Sequence, residues 1–321
     1  MPLAGLKNSD LKLILFGGKG GVGKTCCALA TALSLSKDFK TLIISTDPAH
    51  SISDCLDQFV GNKITQVKGE ENLAAIEINA NEVFAHFKED NEEELKKLLD
   101  TSTNLDTEDI NQLLSLPIPG IDEIMCFKTI LDFMEEGRFE KYVVDTAPTG
   151  HALRLLSSPK LLNVWIAVMA KMRWKYRYMV ATFSGSYSSD ETDDLLLRLK
   201  KTVTGIEKML RDSSKCEFIP VCIPEALSVS ETNSLIRELD CQGIVVKQLI
   251  VNNMYNSEGC VFCQQRKAAQ LKYLDEIREK HQNLQISVIP LQVEEVKGIE
   301  QLNKLEKELS SSEEFGNNMS I

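Results

Sequence analysis

No stretch of the 321 residues approaches the roughly 18 uninterrupted apolar positions of a membrane-spanning helix. The chain is therefore expected to be soluble, with any membrane role working through partners. Its start, MPLAGLKNSDLKLILF, lacks the succession of charged start, apolar middle and small-residue cleavage site that marks a secretory signal. A cytoplasmic protein is the expectation. Basic charge is in short supply: 36 Lys and Arg stand against 47 Asp and Glu, a net charge of −11. That balance argues against wide, non-specific nucleic-acid binding, which needs a dominant basic footprint to displace counterions. A disulfide framework is missing too, because nine cysteines, an odd number, are scattered through a long chain with no signal peptide. No internal repeat is visible.

What is present is a core. The chain is 43% apolar, and a chain of this length can bury roughly 75% of its unfolded surface. Length alone suggests about two domains. Continuous apolar runs at 11–16, 41–46, 73–78, 142–145, 218–223, 243–252 and 284–290 read as strands buried on both faces. Helical segments separate them, the pattern of a parallel sheet covered on both sides. Helices are expected at 26–36, 81–99 and 120–136, and no convincing strand lies between 145 and 218. The expected organisation is one α/β domain over 1–309, a helical subdomain from insertions at about 81–136 and 153–211, and a disordered Ser/Glu/Asn-rich tail at 310–321.

Between the first strand and its helix stands GGKGGVGKT, residues 17–25. Gly20, Gly21, Val22 and Gly23 let backbone N–H groups face a polyphosphate, and the helix N-terminus adds its dipole. Lys24 neutralises phosphate oxygens, and the Thr25 hydroxyl can ligate Mg²⁺. The predicted fold is thus a P-loop NTPase: a mostly parallel sheet flanked by helices, with a helical insertion subdomain, binding a polyphosphate and Mg²⁺. After the second strand, Asp47 can hold a Mg²⁺-bound water and Asp54 can orient the attacking water, unless one or both cap the next helix. Asp145 ends the strand at 142–145, placed to contact the Mg²⁺ shell. Gly150 follows where a loop would sense the γ-phosphate, and His151 reads as a structural hydrogen-bonding residue.

The ordered set GGKGGVGKT, STDPAHSISD (45–54), IPGIDE (118–123) and DTAPTGHALRLL (145–156) closely resembles the tail-anchored-protein targeting ATPases of the guided-entry pathway and their relatives, the arsenical-pump ATPases. The resemblance continues through IPEALSVSET (223–232), VNNMY (251–255) and PLQVEEVKG (290–298), nearly the whole chain outside the helical insertion. It implies a homodimer of the deviant Walker A type, in which Lys19 reaches across to the partner's ATP. It implies further that Asp54 positions the hydrolytic water, that Asn252 reads the adenine, and that Pro290 to Val296 line the base pocket. It also implies a client groove in the helical subdomain, a membrane receptor, upstream co-chaperones, and transient presence at the endoplasmic reticulum or an archaeal plasma membrane.

Cys260 and Cys263 form the one C-x₂-C pair. Structural zinc usually takes four ligands and no second pair exists in the chain, so two copies meeting across a dimer axis would complete Cys₄. Read without the family, buried or redox thiols fit equally well; in the targeting ATPases such a pair clamps the homodimer with Zn²⁺. Some members also carry a CxC pair linked to a redox-switched chaperone state, but here Pro220-Val221-Cys222 leaves Cys222 alone and that activity is not transferred.

In the insertion, Leu161, Trp165, Val168, Met169, Met172, Tyr176 and Met179 form an apolar stripe at helical spacing, beside the basic Lys171, Arg173, Lys175 and Arg177. Such a stripe serves as core, as an adaptable surface for apolar ligands, or as a helix lying on a membrane. The leading reading is a dimeric ATPase that shields and delivers tail-anchored proteins. An arsenite-stimulated efflux-pump ATPase and an iron–sulfur scaffold ATPase are the alternatives.

Overall fold

A computed structural model of the chain describes residues 5–47, 51–102, 121–146, 191–256 and 259–311, with isolated positions between 159 and 174. Eight strands are described: β1 (Leu13–Gly17), β2 (Thr41–Ser45), β3 (Thr65–Gln66), β4 (Leu73–Glu77), β5 (Lys141–Asp145), β6 (Cys216–Cys222), β7 (Gln248–Met254) and β8 (Gln285–Pro290). They make one sheet in the order β3-β4-β2-β5-β1-β6-β7-β8. Every pairing is parallel except that of β3 with β4. Strands β1, β2, β4, β5 and β6 are buried at every residue, so their unbroken apolar runs have the expected cause: helices cover both faces.

The described helices are α1 (Lys24–Ser36), α2 (Ser51–Leu56), α3 (Ala80–Asp90), α4 (Glu92–Ser102), α5 (Ile121–Glu136), α6 (Glu191–Arg211), α7 (Ala226–Cys241), α8 (Val261–Lys280) and α9 (Gly298–Ser311). Leu29 and Leu33 of α1 share a core cluster with Leu302, Leu305 and Leu309 of α9 and with Phe16, Ile43 and Val143 of the sheet. A second cluster joins Val229 of α7 and Leu274 and Ile277 of α8 to the sheet. The clusters lie on opposite faces, as the two-residue period of a strand shows. On β7 Ile250 belongs to the first, whereas Leu249 and Val251 belong to the second. Each fully buried leucine contributes roughly 1.5–3 kcal/mol over an exposed one.

Two element boundaries differ from expectation for identifiable reasons. The run at 243–252 does not begin a strand until Gln248, because Gly243, at φ 74°, ends α7. Its N–H donates to the Asp240 carbonyl and that of Ile244 to Leu239, a left-handed helix stop. The segment at 81–99 is two helices, broken at Asn91, whose side chain donates to the Phe87 carbonyl at 2.8 Å. The two-residue β3 escapes sequence reading because Thr65 and Gln66 carry no apolar run.

By internal contacts the chain divides into two compact units, one of residues 1–79, 133–153 and 209–321 and the other of residues 80–132 and 154–208. The second is helical where described. It holds a cavity of about 400 Å³ walled by Val83, Phe87, Met125, Leu195 and Leu199, with His86 and Arg198 among its polar lining. Of the apolar stripe, Val168 and Met169 are described, and Val168 is exposed. Leu162 and Ile166 are the buried positions there, while Trp174 is 64% exposed. Leu161, Trp165, Met172, Tyr176 and Met179 lie outside the described residues, as do Gly150 and His151. Among the described residues no helix is long and apolar enough to cross a membrane.

Candidate active site

In an open parallel sheet ligands bind beyond the carboxyl ends of the strands. Here β5 lies between β1 and β2, pairing Asp145 with Phe16 on one side and Ser45 on the other. The end of β5 therefore sits beside the loop that leaves β1. That loop runs from Gly18 to Gly23 and delivers the chain into α1 at Lys24.

Two of its glycines are required by close approach. At Gly23, φ 88°, a Cβ would stand 2.3 Å from Asn252 Nδ2, and at Gly18 it would stand 2.2 Å from the Val221 carbonyl oxygen. The Asn252 side chain donates to the Val22 carbonyl at 2.9 Å and is buried. A register shift between Val251 and Met254, with Asn253 at φ 59°, turns Asn252 toward the loop. As described, then, Asn252 buttresses the phosphate loop from β7.

Lys24, Thr25 and Asp145 converge. Lys24 is nearly buried, its Nζ donating to the Lys19 carbonyl at 3.3 Å. Burial holds the Lys24 pKa below the usual lysine range, against the opposing pull of the Asp145 and Asp47 charges. Thr25 Oγ1 donates to Asp145 Oδ2 at 2.6 Å and lies 3.3 Å from Ser51 Oγ. Burial lifts the Asp145 pKa to about 6, and the Asp47 charge pushes the same way, while Thr25 and Lys24 oppose both.

The other oxygen, Asp145 Oδ1, is buried with no hydrogen-bond partner. An orphaned carboxylate oxygen is costly, and a hard divalent cation relieves that cost. With the Thr25 hydroxyl alongside, the all-oxygen donor set fits Mg²⁺. Asp47, just past β2, is close enough for its charge to act on both Lys24 and Asp145.

The remaining expected residues are placed differently. Asp54 lies within α2 and is exposed, and Asp47 precedes the start of that helix by four positions, so neither occupies its N-cap. Lys19 Nζ stands 3.7 Å from Glu231 Oε1 on α7. Pro290 closes β8 opposite Met254 of β7, and the Leu291 N–H donates to the Met254 carbonyl at 2.8 Å. Val293, in the same segment, is fully exposed.

Cys260 is the N-cap of α8, accepting from the Cys263 N–H at 3.4 Å, and the two sulfurs are 3.3 Å apart. That backbone N–H and the Cys263 thiol hold the Cys260 pKa below the usual thiol range. Among the described residues no group of three or more His, Cys, Asp or Glu is arranged to hold a metal. Cys222 is buried, and burial pushes its thiol up to about 12, which makes it unreactive.

Sequence reasoning missed three contributors: Ser51 beside Thr25, Glu231 beside Lys19, and Glu77, whose Oε1 accepts from the Ser53 N–H at 3.0 Å in the first turn of α2. Ser51 and Glu231 sit inside STDPAHSISD and IPEALSVSET, but only the fold reveals what they face.

With that geometry in view, the model of the anion-transporting ATPase family matches residues 11–311. "ATPase ASNA1 homolog 1" of Paramecium tetraurelia is 36% identical over 309 residues, 93% of this chain and 92% of that one. "ATPase get3" of Pyrenophora tritici-repentis is 34% identical over 321 residues, 95% of this chain and 92% of that one. "ATPase get3" of Aspergillus niger is 34% identical over 310 residues, 93% and 90%.

Proposed function

The chain belongs to the anion-transporting ATPase family and hydrolyses ATP to ADP and phosphate, and we propose that it uses this cycle to shield the transmembrane segment of a tail-anchored protein and hand it to a membrane receptor. The observation that carries the reading is the joining of a family match over residues 11–311 to an intact phosphate site at Lys24, Thr25 and Asp145.

The loop N–H groups and Lys24 bind the phosphates, and Thr25 and Asp145 hold Mg²⁺, directly or through water. When bound, Mg²⁺ neutralises charge on the β- and γ-phosphate oxygens. Asp54 orients the attacking water, with Asp47 tending the cation's water shell, while Asn252 and Pro290 flank the base. Lys19 serves the partner's nucleotide in a homodimer, which requires its 3.7 Å pair with Glu231 to open. A half-exposed pair of this kind costs only about 0.2–1 kcal/mol to break, less than the γ-phosphate contacts that replace it. The closed dimer is favoured only by contacts that ATP makes better in that state.

The helical unit is the part assigned to the client. Its cavity of about 400 Å³ admits a few side chains rather than a spanning helix of about 20 residues, so a full groove calls for two protomers. Cys260 and Cys263, with the same residues of a second copy, bind one Zn²⁺. Upstream co-chaperones load the client. The protein works in the cytoplasm, with transient presence at the endoplasmic reticulum or an archaeal plasma membrane.

The test is co-purification without detergent of the full chain with a tail-anchored protein. A complex that disappears when the client's transmembrane segment is deleted supports the reading; an unchanged yield without that segment sinks it. The family's description as anion-transporting favours one second reading, an arsenite-stimulated pump ATPase, which stimulation of hydrolysis by arsenite would establish.

A further inference from the structure

Two cysteines outside the zinc pair meet at the active site. Cys26 follows Thr25 in the first turn of α1, and Cys55 follows Asp54 in α2. Although 29 positions apart in sequence, their sulfurs are in contact at 3.7 Å. Both are partly exposed at the margin of the core cluster, whereas Cys27, Cys126, Cys216 and Cys222 are buried. A disulfide needs sulfurs about 2.05 Å apart, so the two must approach further before a bond can form.

We propose that Cys26 and Cys55 form a reversible disulfide that pins α2, the helix carrying Asp54, to the first turn of α1 and stops ATP hydrolysis. The oxidant is a peroxide. One cysteine sulfur attacks a peroxide oxygen and the O–O bond breaks. This leaves a sulfenic acid, and the displaced hydroxide becomes water by taking the thiol proton. The second sulfur then attacks the sulfenic sulfur; the S–S bond forms, the S–O bond breaks, and a second water leaves. Two thiols are oxidised and one peroxide is reduced to two waters, and a dithiol reductant reverses the product by exchange.

The location gives the bond its effect. The crosslink holds the Cα atoms within about 4.4–6.8 Å, and each cysteine is covalently next to a residue of the ATP site. Thr25 Oγ1 already lies 3.3 Å from Ser51 Oγ at the start of α2, so the bond freezes an existing contact between phosphate loop and α2. Nucleotide hydrolases need such segments free to reorder around the γ-phosphate. The proposal goes beyond client targeting: it concerns hydrolysis alone and a thiol pair distinct from Cys260 and Cys263.

The experiment treats the full wild-type chain with hydrogen peroxide, maps its peptides without reduction, and measures ATP hydrolysis before treatment, after it and after dithiothreitol. The expected result is a linked peptide pair containing Cys26 and Cys55, a fall in hydrolysis of at least tenfold, and recovery on reduction. The double variant Cys26→Ser, Cys55→Ser should keep its rate within twofold under the same peroxide. Absence of the linked pair overturns the proposal, as does full activity of the linked protein or equal peroxide sensitivity in the double variant. The map is read on the wild-type chain, so it stands whether or not the variant folds, and it is independent of any client.

Discussion

At the scale of single residues, the surroundings of Asp145 differ from those of Asp54, the carboxylate proposed to act beside it. Asp145 is buried between β1 and β2 with one oxygen orphaned, an environment that supports a cation. Asp54 is solvent-facing on a six-residue helix, where water can reach it. Under the proposed role, replacing Asp54 with Asn removes the negative charge that orients the water and turns one acceptor oxygen into an NH₂ donor, while the phosphate contacts stay in place. The expected outcome is unchanged ATP binding with hydrolysis reduced ~100-fold or more, the scale on which misplaced reacting groups act. Single-turnover hydrolysis alongside nucleotide titration checks it, and a wild-type rate would remove Asp54 from its role. Lys24, Thr25 and Asp145 were legible in the sequence because each is defined by position against a strand end and a glycine loop. Ser51, Glu231 and the Cys26–Cys55 contact were not, because each depends on which helix lies against which.

At the scale of elements, the strands were legible to within a few residues because burial on both faces leaves an unbroken apolar record. Boundaries set by backbone conformation were not: Gly243 spends five apparently strand-like positions on stopping a helix, and Asn91 divides one helical pattern into two. Two contacts between elements carry measurable consequences. Lys141, fully buried at the start of β5, donates from Nζ to the carbonyls of Leu6, Asn8 and Leu11 and lies 4.7 Å from the Phe39 ring centroid. Lys141→Met would remove this donor from the Leu6 and Leu11 carbonyls, the Asn8 carbonyl keeping the Leu11 N–H, and about 3 kcal/mol of stability should be lost in a denaturant titration. His281 ends α8 with Nε2 2.6 Å from Asn233 Oδ1 of α7, and burial, helped by the neighbouring Lys280 charge, keeps its pKa below 6.5. Below 6.5 the unfolded chain therefore binds a proton that the folded chain resists, so stability falls as pH falls through that region. His281→Asn should lose less stability than wild type between pH 7 and pH 5.5, read from denaturant midpoints; an identical loss would contradict the assignment.

At the scale of the whole molecule, the cysteine pair is where one chain falls short of its own chemistry. The sulfurs of Cys260 and Cys263 stand 3.3 Å apart at a helix start, and under the proposed zinc clamp they would be half of a tetrahedral set. The metal content expected of a purified dimer is about half a zinc per chain. Chelation, or Cys260→Ser with Cys263→Ser, should shift the sedimenting species from dimer to monomer. A brown, absorbing protein would point to an iron–sulfur cluster in its place. The sequence by itself determined the phosphate chemistry, the parallel sheet and the family, since glycine spacing, two-faced burial and long loop motifs are local properties that a chain carries along its length. Only the tertiary structure decided what those residues meet. It turned Asn252 onto the phosphate loop, set Lys19 against Glu231, left Asp145 Oδ1 without a partner, and brought Cys26 to Cys55. Contacts between distant segments are fixed by how helices pack on a sheet, and no spacing along the chain encodes that directly.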